Sequence, residues 1–218
     1  MKTEFEKRLL TSLVLISLSI FLIIKGSYFF IFFLGSILLI SIYEWSKITK
    51  NLYQTKIFGI IFICLSIYSA YLFREKYSYP FFLFAISISV LTDLGGYFFG
   101  KLFKGPKLTK VSPNKTYSGV IGGFLLSMIG GILIIKLISY SSMTINDLTI
   151  TLISIFLISL ISQLGDLFIS YFKRKSKIKD TGKILPGHGG LLDRIDGIIF
   201  AVPFSYLLFH YIFSYLIK

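Results

Sequence analysis

The chain has 218 residues, of which 55% are hydrophobic, 17% aromatic and only 15% charged, with a mean hydropathy of +0.80. Soluble domains carry about 25% charged residues, so this composition excludes one, and it equally excludes a disordered or nucleic-acid-binding tail. The charges are nonetheless lopsided, 23 Lys+Arg against 10 Asp+Glu for a formal net charge of +13, which in a membrane protein is first an orientation signal and only then a hint of anionic ligands.

Apolar runs between charged residues match the roughly 20 residues that cross a bilayer as a helix. In chain order they are Leu9–Ile24, Gly26–Tyr43, Ile57–Phe73, Tyr77–Phe99 with Asp93 inside it, Thr116–Ile135, Leu148–Phe172 with Asp166 inside it, and Gly197–Ile217. These runs are too long for barrel strands, and backbone groups in hydrocarbon must be satisfied within the segment, so an all-α integral membrane protein of about seven transmembrane helices is expected. Lys7-Arg8 ahead of the first run resembles a signal peptide, but no small-x-small cleavage site follows, so a retained first span is expected. Cys64 stands alone in the third span and there are two His, which leaves no disulfide framework and no Cys/His zinc site.

Basic residues set the orientation. With the N-terminus inside, the cytoplasmic segments collect Lys2, Lys7 and Arg8; Lys47, Lys50 and Lys56; Lys101, Lys104, Lys107, Lys110 and Lys115; and Lys173, Arg174, Lys175, Lys177, Lys179, Lys183 and Arg194. Only Lys25, Arg74, Lys76, Lys136 and Lys218 fall outside. The asymmetry predicts a cytoplasmic N-terminus and an outer C-terminus.

Glu4, Glu6, Glu44, Glu75 and Asp147 stand at span ends or in loops and are expected to be solvated interface charges. Asp93 and Asp166 lie inside apolar helices, where an acid costs about 2.5–3.5 kcal/mol and marks a functional site by default. Asp93 precedes Lys101 by about 12 Å of helix and Asp166 precedes Lys173 by about 10 Å, so both sit at similar depth below the cytoplasmic face. That argues for one shared site open to the cytoplasm rather than an ion path stepped across the membrane. Neutralisation of each carboxylate by a hydroxyl neighbour, Thr92 or Ser162, is the alternative.

The densest polar segment is Ser170–Asp196, SYFKRKSKIKDTGKILPGHGGLLDRID. Its Lys173, Arg174, Lys175, Lys177 and Lys179 form a cationic cluster suited to phosphate, or a stop signal for the preceding span. Pro186-Gly187-His188-Gly189-Gly190 is a glycine-rich turn whose N–H groups can approach an anion, although glycine also simply makes turns. Asp193 and Asp196 are i and i+3 on an expected helix, about 5–6 Å apart at Cβ, a like-charge pair that a hard divalent cation such as Mg²⁺ would compensate. Upstream, Ser112-Pro113-Asn114-Lys115-Thr116 is a turn entering the fifth span. Gly96 and Gly100, and Gly119 and Gly123, have the small-xxx-small spacing of close helix packing.

These residues resemble the signature of the phosphatidate cytidylyltransferase (CDP-diacylglycerol synthase) family. Ser170, Phe172, Lys173, Arg174, Lys179, Asp180, Gly182, Leu185, Pro186, His188, Gly189, Gly190, Leu191, Asp193, Arg194, Ile195 and Asp196 satisfy it without a gap. Gly165-Asp166 and Ser112-Pro113-x-Lys115-Thr116-x-x-Gly119 resemble two further family blocks, so the likeness covers roughly the C-terminal 60% of the chain. The chain departs from the family at Ile169 and Ser118, where acids are frequent, and at Gly197, where serine is frequent.

The resemblance implies Mg²⁺-dependent transfer of a cytidylyl group from CTP to phosphatidic acid, in a bacterial plasma (inner) membrane with the site facing the cytoplasm. It implies a single polytopic domain over 1–218, with variable N-terminal spans in 1–76 and a catalytic region in 77–218 whose cytoplasmic loops are 101–119 and 173–196. Lys173, Arg174, Lys179, His188, Asp193 and Asp196 are the implied catalytic residues. Ser112, Lys115, Thr116, Ser170, Asp180, Gly189, Gly190 and Arg194 are implied at the substrates, and Asp166, Asp193 and Asp196 at the metal with Asp93 beside them. His188 is equally well explained as a structural turn residue. CTP and phosphatidic acid are the implied partners rather than nucleic acid; a second, monovalent cation such as K⁺ and a homodimer are left open. A CTP-dependent polyprenol or phytol kinase is the nearest alternative, and an ion-coupled transporter using Asp93 and Asp166 a more remote one. CDP-alcohol phosphatidyltransferases need an Asp-Gly-x2-Ala-Arg motif that the chain lacks.

Overall fold

A computed structural model describes residues 4–50, 52–109, 111–112, 115–138, 145–182, 184–185 and 189–216. Among them the regular elements are α1 (Glu4–Lys25), α2 (Ser27–Ile48), α3 (Tyr53–Phe103), α4 (Tyr117–Ile138), α5 (Ile145–Lys175), α6 (Leu192–Ile195) and α7 (Ile198–Leu216). Four helical stretches, α2, α3, α4 and Asp147–Lys175 of α5, are long and apolar enough to cross a membrane, and Thr11–Lys25 and Ile198–Ile212 are shorter apolar helices. This is the architecture of an all-α integral membrane protein.

Local chemistry explains the breaks. Between α1 and α2, Gly26 takes φ 67 and ψ −152, a region open essentially to glycine alone. The 51 residues of α3 would extend about 76 Å if straight, more than twice the hydrocarbon thickness. They are interrupted at Ser78, with φ 69 and ψ 163, two residues before Pro80, which cannot donate to the helix ladder. The interruption follows the expected span Ile57–Phe73 and falls at the start of the expected span Tyr77–Phe99, one residue inside its first bound. The same helix ends where Lys104 and Gly105 adopt positive φ and Pro106 prevents continuation. Thr116 starts α4 as its cap, its Oγ1 accepting the Gly119 N–H at 3.1 Å.

The chain divides into two compact units, Met1–Tyr71 with Phe172–Ile195, and Leu72–Tyr171 with Asp196–Lys218. In the first, Trp45 is 2% exposed, meets Phe172 edge-on at 5.2 Å between centroids and donates its Nε1–H to the Lys56 carbonyl. Ser176 Oγ donates to the Ile48 carbonyl, and Thr49 Oγ1 donates to the Trp45 carbonyl at 2.7 Å. In the second, Phe73 is fully buried with Phe209 at 5.1 Å, Tyr77 at 5.7 Å and Phe82 at 5.9 Å.

The second unit also has the close helix approach expected of its glycines. A Cβ at Gly95 would run into the Gly122 carbonyl and lie 2.9 Å from Gly123 Cα, and one at Gly119 would lie 2.7 Å from the Gly96 carbonyl. Without a hydrophobic driving force in lipid, such backbone contact is how helices associate. Ser41, Ser89, Ser127, Ser159, Ser162 and Ser205 are wholly buried while Tyr28, Phe32, Leu39, Phe58, Leu102 and Leu137 are more than 70% exposed. A polar interior beneath an apolar surface suits hydrocarbon rather than water.

Candidate functional site

The first unit gathers a clamp of carboxylates and backbone amides. The end of α5 delivers Lys173, which is 9% exposed, and its Nζ lies 3.0 Å from Asp193 Oδ1. The other Asp193 oxygen accepts the N–H groups of Thr181 at 2.8 Å and Gly190 at 3.1 Å. Charge-assisted hydrogen bonds of this kind fix a carboxylate's orientation. A second carboxylate, Glu44 of α2, has no exposed surface. It accepts Leu191 N–H at 3.0 Å on Oε1, and Leu192 N–H at 2.8 Å and Thr181 Oγ1–H at 2.9 Å on Oε2. Between these anchors the loop closes on itself through Leu185 N–H to the Gly189 carbonyl at 3.0 Å, with Gly189 at φ 87. Outside the clamp, Arg174, Lys175, Lys177, Lys179 and Arg194 make an exposed basic surface of the kind that suits phosphate, and Asp180 is exposed beside them in sequence.

The second unit holds a charge cluster of its own residues. Lys115 Nζ and Asp166 Oδ2 are 2.5 Å apart, with about a fifth of each side chain exposed. Ser170, one turn further along α5, donates to Asp166 Oδ1 at 3.2 Å. Asp93 of α3 keeps part of its surface exposed and lies within electrostatic range of both Asp166 and Lys115. Lys115 is presented by the loop after α3, which is tied by Leu108 N–H to the Lys115 carbonyl at 2.8 Å, Lys115 N–H to the Ser112 carbonyl at 3.0 Å and Tyr117 N–H to the Pro106 carbonyl at 3.2 Å. Ser118 donates to the Lys104 carbonyl. Asp196 is 7% exposed and accepts the Gly197 N–H at 3.0 Å. Gly197 has no room for a side chain, because a Cβ there would run into Ser162 Oγ. Among the described residues, neither proposed hydroxyl neighbour meets Asp93 or Asp166: Thr92 donates to Ser159 at 2.8 Å and the buried Ser162 hydroxyl has no hydrogen-bond partner.

Three expectations need correction. Asp193 and Asp196 do not share one helix face: α6 ends at Ile195, Asp196 and Gly197 form a turn, and α7 begins at Ile198. Asp193 is drawn instead toward the amides of its own loop. Lys173 is no surface cation like Arg174 and Lys179 but the buried partner of Asp193. Glu44 is not a solvated interface charge, because α2 continues through Ile48 and carries it inward among Ser41, Trp45 and Ile48. Glu44 is the site residue that sequence reasoning missed. The available signal was helical spacing, since Phe30, Leu34, Ser41, Glu44, Trp45 and Ile48 are the buried face of α2.

Of the glycine-rich turn, Gly190 donates its N–H to the protein's own Asp193 at 3.1 Å. His188, with Pro186, Gly187, Lys183, Pro113 and Asn114, lies outside the described residues. Among the remaining expected residues, Ser112 and Thr116 serve the loop and cap that present Lys115, and Ser170 serves Asp166.

The model of the Cytidylyltransferase family matches residues 53–212. A phosphatidate cytidylyltransferase of Brucella suis biovar 1 (strain 1330) is 38% identical over 152 residues, covering 68% of this chain and 54% of the relative. Phosphatidate cytidylyltransferases of Staphylococcus haemolyticus (strain JCSC1435) and Staphylococcus aureus (strain COL) are 43% and 44% identical over 129 residues, 59% of this chain and 48% of each relative. The chain spans about half the length of the curated relatives it matches. With the family model running from the start of α3 into α7, over both the Lys115–Asp166 cluster and the Asp193 clamp, this chain belongs to the cytidylyltransferase family.

Proposed function

We propose that the chain transfers a cytidylyl group from CTP to phosphatidic acid, giving CDP-diacylglycerol and pyrophosphate. The observation that carries this reading is the 38–44% identity to proteins named phosphatidate cytidylyltransferase, together with the uninterrupted Ser170–Asp196 signature. A phosphate oxygen of the lipid attacks the α-phosphorus of CTP, the bond from that phosphorus to the bridging oxygen breaks, and pyrophosphate leaves with the electron pair. The nucleophile is already ionised, so no protein nucleophile is required. What the protein supplies is charge neutralisation and in-line positioning of two anions.

The residues divide accordingly. Arg174, Lys179 and Arg194, all exposed, meet the phosphates. Lys173 and Lys115 hold Asp193 and Asp166 in place. Mg²⁺ is the proposed cofactor. The donors on offer are the hard carboxylate oxygens of the acids named above, Asp93, Asp166, Asp193 and Asp196. Mg²⁺ is usually held by one or two carboxylates and fills its shell from water and substrate phosphates. When bound, the ion would neutralise developing charge on the phosphoryl oxygens. The proposed topology has seven spans, a cytoplasmic N-terminus and an outer C-terminus, with catalytic loops 101–119 and 173–196 facing the cytoplasm.

The test is the purified chain with CTP and phosphatidate, stripped by EDTA and then given back Mg²⁺. Product formation that stops and returns supports the reading; unchanged turnover in EDTA contradicts the metal assignment.

A further inference from the structure

Glu44 is a buried carboxylate that the transfer reaction does not itself require. Both of its oxygens are spent on one loop: Leu191 N–H at 3.0 Å, Leu192 N–H at 2.8 Å and Thr181 Oγ1–H at 2.9 Å. The two residues whose backbone N–H groups orient Asp193 are Thr181 and Gly190. Glu44 therefore grips Thr181 through its hydroxyl and Gly190 through the adjoining Leu191 amide. The loop is also shaped to the carboxylate. A Cβ at Gly182 would lie 2.5 Å from Glu44 Oε1, and one at Gly190 would lie 2.7 Å from Oε2 and run into Thr181 Oγ1. A carboxylate without exposed surface is unfavourable unless donors surround it, and here every recorded donor comes from the segment that leads into Asp193.

We propose that Glu44 is the positioning residue of the transfer site: it fixes Thr181 and Gly190–Leu192 so that Asp193 is held in a single orientation. This deepens the transferase reading and rests on it. It also assigns a task to α2, which precedes the stretch matched by the family model, residues 53–212. That helix would then be part of the active apparatus and not only a membrane anchor.

The experiment uses the full chain in nanodiscs and compares wild type with Glu44→Gln and Thr181→Val, measuring amide exchange without added metal or nucleotide and turnover with CTP, phosphatidate and Mg²⁺ added. Glutamine keeps the shape but replaces one oxygen by an NH₂ group, which must oppose at least one of the donors Glu44 now accepts. Amide hydrogen exchange at Gly190, Leu191 and Leu192 is expected to accelerate about tenfold or more in Glu44→Gln, while α4 is unchanged. In the same variant kcat for CDP-diacylglycerol formation should fall about tenfold or more with KM for CTP within about twofold. Thr181→Val should give the same pattern at smaller amplitude. Wild-type exchange at these amides in Glu44→Gln, or wild-type kcat, overturns the proposal. If Glu44→Gln does not accumulate folded, Thr181→Val decides, and wild-type exchange there overturns it too. A wild-type chain that makes no CDP-diacylglycerol refutes the transferase reading instead, and exchange alone then decides whether Glu44 holds the loop.

Discussion

Replacing Lys173 by methionine isolates the contribution of the ion pair that orients Asp193. The charged atoms are 3.0 Å apart and the side chains are 11% and 9% exposed, so at an effective dielectric near 20 the gross attraction is about 5 kcal/mol. Desolvation of both groups takes back much of that. In Lys173→Met the Asp193 charge stays buried with only the Thr181 and Gly190 amides, at 2.8 and 3.1 Å, to compensate. The expected loss is about 3 kcal/mol, the low end for breaking a buried pair, because those two donors remain. Asp193→Asn should destabilise by a similar amount by stranding the ammonium. Lys173→Met combined with Asp193→Asn leaves neither charge, so the double variant should recover about 1–2 kcal/mol relative to the sum. Reversible unfolding in mixed micelles measures all four proteins. Additivity of the two single changes to within about 0.5 kcal/mol would refute the coupling, and with it the claim that Lys173 acts through Asp193.

Three further outcomes follow from the geometry. Gly190→Ala should cut activity at least tenfold while the chain still inserts, since the added methyl meets Thr181 Oγ1 and Glu44 Oε2 and repulsion of about 1.4 kcal/mol or more is felt at the clamp; wild-type turnover would contradict the packing described. Ser162→Ala should be neutral or stabilising by up to about 1 kcal/mol, because its hydroxyl is fully buried without a hydrogen-bond partner, and a clear loss of stability would mean that the hydroxyl has a ligand. Ser78→Gly should raise stability by about 1 kcal/mol by relieving φ 69 and ψ 163 in α3; a lower unfolding midpoint would contradict this.

Hydropathy located the helices because membrane helices must satisfy their own backbone and so announce themselves as apolar runs. The clamp was only half legible. Asp193, Thr181 and Gly190 lie within 13 consecutive residues of the signature and could be read as one segment. Their anchor Glu44 is 137 residues away from Thr181, and nothing local to Tyr43-Glu44-Trp45 says which distant amides an inward-facing acid will meet. Lys115 and Asp166 illustrate the same limit: each was recognised as a candidate, but their pairing depends on how the loop after α3 folds back through Leu108 and Pro106. The break between Asp193 and Asp196 was missed because helix periodicity carries no information on where a four-residue helix stops and the next begins. Glycine at 197, read as a departure from the family pattern, has a local cause in the Ser162 hydroxyl that fills the space of its side chain.

The most direct test of the central claim follows the label in CTP. Purified chain, phosphatidate vesicles and Mg²⁺ are incubated in parallel with CTP labelled at the α- or the γ-phosphorus. Cytidylyl transfer predicts that α-label enters the lipid and γ-label leaves as pyrophosphate, with both lost in Asp196→Asn. Entry of the γ-label into lipid, or no consumption of CTP by the folded protein, would contradict it.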